Sequence, residues 1–290
     1  MRIRTKFATL AVAALFVASA CSNSTPAATG PKSLITEIKA RGELRIGVAA
    51  AEPWQTQDPK TGVWGGVFVD IMADYAQALG VKLTPVSTTF GNMIAGLQAG
   101  QFDIASSLNA RPARAVVVMF SSAVASDIGS FAVTSSSLTT FDQINQSQNT
   151  VCVAQGSAED LSLTTSKPKA QIQRLADESA CRLAVQSGRA NAIFDDWNGN
   201  GPFAKANPGT KLIFPPTPFV DEGIGYAITQ NYSYADVAAI NVEIQSFAGR
   251  GLLAASLTKW GAIDPVQFAA VPADVPVYVK TLESSQFPGG

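Results

Sequence analysis

The sequence predicts an α/β protein assembled in two successive rounds of alternating strands and helices. Three observations carry that expectation. Short runs rich in β-branched residues alternate with apolar stripes of helical period, glycines stand where those stripes end, and 290 residues suffice for two domains of ordinary size. Alternation of this kind gives parallel sheets covered by helices.

The first strand is 44–48, reading LRIGV. Asp70 is placed to cap a helix whose Ile71, Met72, Tyr75, Ala76 and Leu79 make one apolar stripe, closed by Gly80. A strand at 81–86 follows, then a helix at 92–99 stopped by Gly100, then a strand at 102–105. The second round has a strand at 150–154, a helix from Ser157, a strand at 170–175, a helix at 178–186 ended by Gly188, and a strand at 192–194. No internal repeat accompanies this alternation.

The N-terminus reads as an export signal. Arg2, Arg4 and Lys6 form a positive region, residues 7–18 an apolar run, and Ala18, Ser19 and Ala20 supply small side chains before Cys21. The run is too short to span a membrane, which takes roughly 20 residues. The site resembles a bacterial lipobox, which implies that Cys21 is lipidated and becomes the mature N-terminus; Ala18 stands where lipoboxes usually carry Leu. Residues 1–20 are thus expected to be a signal peptide, and 21–32 a flexible tether rich in Ser, Thr, Pro, Ala and Gly.

Removing residues 1–20 takes away three basic residues and leaves 18 Lys and Arg against 22 Asp and Glu, a net charge of −4. That mild acidity, without a long basic run, argues against nucleic acid as a partner. The chain has no His, which excludes a His-based triad or His-ligated metal, and three Cys do not make a zinc cluster. No metal or other cofactor is expected. With Cys21 carrying lipid, Cys152 and Cys181 are an even pair in an oxidising compartment, where a disulfide is expected; two buried thiols are the alternative.

Several segments in order carry a family resemblance. They are 42–48 (GELRIGV), Pro53-Trp54, 64–71 (WGGVFVDI), 97–105 (LQAGQFDIA), 106–114 (SSLNARPAR), 153–157 (VAQGS), 188–196 (GRANAIFDD), 223–228 (GIGYAI) and 259–261 (KWG). Together they resemble the polar amino-acid family of bacterial solute-binding proteins over residues 33–261. The resemblance implies a two-lobed, type II periplasmic-binding-protein-like fold with ligand between the lobes. Lobe one would be 33–131 plus 226–261, lobe two 132–225, with crossings near 129–133 and 223–228. Residues 262–290 form a C-terminal extension without a counterpart.

A free amino acid needs a cation for its carboxylate, an anion for its ammonium and a wall for its side chain. The resemblance gives the first role to Arg114, whose planar fork can donate two parallel hydrogen bonds. Ser106, Ser107 and Asn109 precede it and should face the ligand, while Arg111 stands where the family often has Thr. On lobe two, Gly156, Ser157 and Ala158 would offer helix N-terminal N–H groups to the carboxylate, although an ordinary helix cap explains the same pattern. Asp196 would receive the ammonium. Trp54 and Phe90 are either cleft wall or core. Asp195 would contact the ligand side chain and favour a cationic or amide group. Against a cation, residues 49–51 are all Ala where binders of basic amino acids tend to place an Asp.

The resulting expectation is a binding protein rather than an enzyme: a monomer anchored outside the cell by lipid. It would pass a polar amino acid to an ABC permease and its ATPase. Two alternatives share the fold. One is an amino-acid sensor feeding a signalling receptor; the other is a dehydratase of the prephenate or arogenate type, with Asp195 as general acid.

Overall fold

The computed structural model describes residues 32–262. Cys21, the signal, and nearly all of the tether and of the C-terminal extension lie outside these residues. The first half comprises α1 (Leu34–Arg41), β1 (Glu43–Val48), β2 (Thr56–Gln57), β3 (Trp64–Gly65), α2 (Val67–Leu79), β4 (Lys82–Ser87), α3 (Phe90–Gln98), β5 (Ile104–Asn109), α4 (Pro112–Ala115) and β6 (Val118–Phe120). Strand β7 (Ala125–Val133) leads into α5 (Phe141–Ile144), β8 (Thr150–Ala154), α6 (Ala158–Ser166), β9 (Gln171–Leu175), α7 (Glu178–Gln186), β10 (Ala192–Asp196), α8 (Trp197–Ala206) and β11 (Lys211–Ile213). The chain returns through β12 (Asp221–Thr229) and ends in α9 (Tyr234–Gly249) and α10 (Leu252–Trp260).

The strands run in the order β4-β1-β5-β12-β7-β10-β8-β9. As the alternation requires, β4, β1 and β5 are parallel, and so are β9, β8 and β10. The central strands are antiparallel to their neighbours: β12 to β5, and β7 to β10. Strands β7 and β12 pair with each other from Asp221 opposite Ile128 to Ile224 opposite Ala125. Their pairing on β7 therefore lies just upstream of the crossing expected near 129–133.

Each half has its own apolar interior. Leu44, Ile46 and Val48 of β1 meet Phe68, Ile71 and Met72 of α2 and Tyr226 of β12 in the first. In the second, Phe131 stacks on Phe194 with ring centroids 4.5 Å apart. Helix α2 begins at Val67, four residues before the expected start, with Gly66 rather than Asp70 at its N-cap. Gly66 has φ +116, and a Cβ there would lie 2.3 Å from the Trp54 carbonyl oxygen, so backbone contact fixes the turn. The Asp70 carboxylate instead accepts from Trp260 Nε1 at 2.8 Å and Ser256 Oγ at 2.8 Å.

Cys152 of β8 and Cys181 of α7 form a disulfide, with Cα atoms 5.4 Å apart. It joins strand to helix across a 29-residue separation, and both sulfurs are buried. The chain-entropy model assigns such a loop about 3–4 kcal/mol. Replacing both cysteines by Ser should lower the denaturant midpoint accordingly. An unchanged midpoint would show that the bridge adds nothing to the folded state.

Candidate functional site

In open α/β sheets, loops following the carboxyl ends of parallel strands form the natural binding crevice. Here those loops converge on one small cavity. Ala51 and Trp54 follow β1, Phe90 follows β4, and Ser107 and Asn109 end β5. From the second half, Ser157 and Glu159 follow β8, Glu178 follows β9, and Asp196 ends β10. Asp127 of β7 and Ile224 of β12 complete the lining. A larger surface groove is lined mainly by the β2–β3 hairpin and α10, and its Asp70 is already tied to α10.

Arg114 lies in α4 and is only 7% exposed. Its Nη1 donates to the Asn109 carbonyl at 3.2 Å, and its Nη2 donates across the cleft to the Gly156 carbonyl at 3.0 Å. Neither acceptor is a carboxylate. Burial, followed by the neighbouring charge of Arg111, lowers its pKa. A buried guanidinium satisfied only by carbonyl oxygens is poised for an anion.

Asp196 is buried, and its Oδ2 accepts from Trp54 Nε1 at 2.6 Å across the cleft. Its Oδ1 accepts from the Asn198 backbone at 3.1 Å, so the residue also caps α8. Burial raises its carboxyl to about 8, helped by the charges of Asp195 and Glu159 and opposed by the bonds from Trp54 and Asn198. Pairing with an ammonium requires the ionised form, so below about pH 8 a proton must leave as ligand binds. Affinity for an α-amino ligand should therefore rise with pH from 5.5 to 8, by up to about tenfold per unit. Calorimetry in buffers of different ionisation enthalpy should register the released proton; affinity that falls over that range would exclude the ammonium role.

The other expected residues divide. Ser107 lines the cavity with φ +53, a left-handed backbone that costs a non-glycine residue about 1 kcal/mol or more. Asn109 also lines it, donating to Asp127 at 2.5 Å. Ser106 is turned away: its Oγ donates to the Gly47 carbonyl at 2.7 Å and contacts Gln55 at 2.6 Å. Ser157 lines the cavity, but its hydroxyl caps α6 by accepting from the Asp160 N–H, and the Asp160 carboxylate takes the Gly156 N–H. The cap pattern is thus realised. The Ala158 carbonyl accepts from Arg111. Trp54 and Phe90 both line the cavity.

Asp195 is 1% exposed, and its carboxylate pairs with Arg182 at 2.6 Å, where Glu178 also approaches the guanidinium at 3.6 Å. The group expected to face the ligand is therefore held behind the cavity wall. Asp127, Glu159 and Glu178, by contrast, line the cavity without having been expected there. The signal in Asp127 was a lone acid in a strand otherwise largely apolar.

Arg111 bridges the halves. Its Nε donates to Glu222 Oε1 of β12 at 2.6 Å, and its other nitrogens donate to Ser162 Oγ and the Ala158 carbonyl of α6. A Thr side chain at this position could not reach these partners. At about 1 kcal/mol for a partly exposed pair, Arg111→Thr should shift the open–closed equilibrium of ligand-free protein about fivefold toward open. Small-angle scattering with an unchanged radius of gyration would dismiss the bridge.

The profile of the bacterial extracellular solute-binding proteins, family 3, matches residues 44–263, and the chain belongs to that family. A probable amino-acid ABC transporter periplasmic-binding protein of Sinorhizobium fredii is 29% identical over 206 residues, 68% of this chain and 67% of the relative. Among solved structures, the ancestral amino acid-binding protein AncCDT-1, described as a precursor of cyclohexadienyl dehydratase, superposes with a TM-score of 0.71 at 27% identity. The match covers 79% of this chain and 99% of that one. A P235GK mutant of ArgBP from T. maritima gives 0.70 at 25% identity, covering 78% and 98%. The two halves are the α/β lobes of the type II binding-protein fold. No helix among the described residues is long and apolar enough to cross a membrane.

Proposed function

We propose that the protein encloses a free amino acid in this cavity outside the cell and delivers it to an ABC permease with its ATPase. The observation that carries the reading is Arg114, a buried guanidinium without a carboxylate partner, opposite Asp196, a buried carboxylate whose bonds come from neutral N–H groups. A guanidinium and a carboxyl that ionises as ligand binds, held apart in one cleft, match the two ends of an amino-acid zwitterion. The amino-acid-binding relatives support the same ligand class.

In this reading Arg114 receives the carboxylate and Asp196 the ammonium, with Ser107 and Asn109 beside them and Trp54 and Phe90 as walls. Lobe one is 33–131 plus 226–261 and lobe two is 132–225, closing about β7 and β12. Because the Trp54–Asp196 and Arg114–Gly156 bonds cross the cleft, ligand exchange requires opening. Export and a lipid anchor at Cys21 would hold the protein near its permease. A dehydratase would need Asp195 free as an acid, whereas Arg182 holds its carboxylate.

Mass spectrometry of whatever copurifies, followed by calorimetry against the standard amino acids, tests the reading. Saturable one-to-one binding of an amino acid is expected. If none binds to ligand-stripped, folded protein, the reading falls.

A further inference from the structure

Resting on that reading, we infer that the ligand is a basic amino acid whose side-chain cation is received by Asp127 and Glu159. The cavity holds more carboxyl groups than a neutral amino acid would match. Arg182 is taken by Asp195 and Glu178, and Arg111 by Glu222. With Arg114 assigned to the ligand carboxylate and Asp196 to its ammonium, Asp127 and Glu159 remain without a cation.

These two carboxyls face each other across the cleft. Asp127 projects from β7 and Glu159 from the first turn of α6; both line the cavity and are 3% and 5% exposed. Asp127 Oδ2 accepts from Asn109, but no donor reaches its buried Oδ1. What approaches Asp127 is the Glu159 carboxyl. Burial first, then the charges of Glu159 and Asp196, pushes the Asp127 carboxyl well above the usual range. The Asp127 carboxyl, raised in this way, holds its proton until a cation stands beside it. A guanidinium or ammonium between them would supply donors to both and displace that proton.

This subsite differs from both positions weighed in the sequence. Residues 49–51 carry no acid, and Asp195 is occupied by Arg182. The site for the second positive charge instead draws one carboxylate from a crossing strand and one from lobe two, so a basic side chain would also hold the cleft closed.

Citrulline differs from arginine chiefly in having a neutral urea for the guanidinium, which makes it the discriminating probe. Calorimetry on the full mature protein, stripped of ligand, would compare arginine and lysine with citrulline and glutamine. The preferred basic amino acid should bind about 30-fold or more tightly than its neutral counterpart, the range for losing one partner of a buried charge pair. Asp127→Asn and Glu159→Gln should each drive that ratio toward one; two variants guard against one failing to fold. Equal affinity for charged and neutral ligands would overturn the subsite while leaving amino-acid binding intact. A ratio that persists in both folded variants would overturn the assignment to these residues. Binding of no amino acid at all would remove this inference together with the reading beneath it.

Discussion

Arg114→Ala should leave the protein folded and weaken amino-acid binding by about 30-fold to several-thousand-fold. The range follows from the 2–5 kcal/mol typical of truncating one partner of a buried charged pair, at about 1.4 kcal/mol per decade. Stability should fall much less, because the removed guanidinium leaves behind two carbonyl acceptors, of Asn109 and Gly156, and no unpaired carboxylate. Loss of the Gly156 bond should also loosen the ligand-free cleft. Lysine at this position retains charge but not the planar fork, so Arg114→Lys should recover only part of the affinity. Calorimetry showing less than a threefold loss for the alanine variant would remove Arg114 from the binding site.

Arg182→Met should have the opposite profile, with stability lost first. Its guanidinium bonds Asp195 at 2.6 Å and lies 3.6 Å from Glu178, and all three residues are buried. Methionine fills much of the volume but leaves two acids facing each other. Removing one partner from a buried ionic cluster typically costs about 3–5 kcal/mol. For a domain of this size that is about 6–20 °C in Tm. The sign with pH is also fixed. Asp195 already sits at about 7, raised by burial despite the opposing charge of Arg182, and loss of that cation raises it further. Protonation then relieves the repulsion, so the variant should be hurt more at pH 8 than at pH 5. Thermal unfolding that shifts by less than about 2 °C at both pH values would show that the cluster does not hold the lobe together.

The two variants separate roles that the sequence left merged in one short segment. Asp195 and Asp196 are adjacent in β10, yet alternate side chains of a strand point to opposite faces. Asp196 therefore reaches Trp54 across the cleft, while Asp195 turns to Arg182 of α7. The strand was legible at 192–194; its continuation through Asp195 and Asp196, and the buried arginine behind it, were not.

The sequence by itself determined the alternating elements, with β8 at 150–154 and α7 at 178–186 as expected, because periodicity and terminal glycines are local signals. It also singled out the Cys152–Cys181 pair, Arg114 and Asp196, the last two through motifs rather than through any property of an isolated Arg or Asp. The start of α2 was not legible, since Gly66 packs on Trp54 and Asp70 is claimed by Trp260, 190 residues away. Nor was the carboxylate pair: Asp127 and Glu159 lie 32 positions apart in chain order and become neighbours only when β7 and α6 meet across the cleft. Local patterning fixes where helices and strands form. Which buried charges are matched, and which are left for a ligand, depends on contacts distant in sequence, and only the tertiary structure decided them.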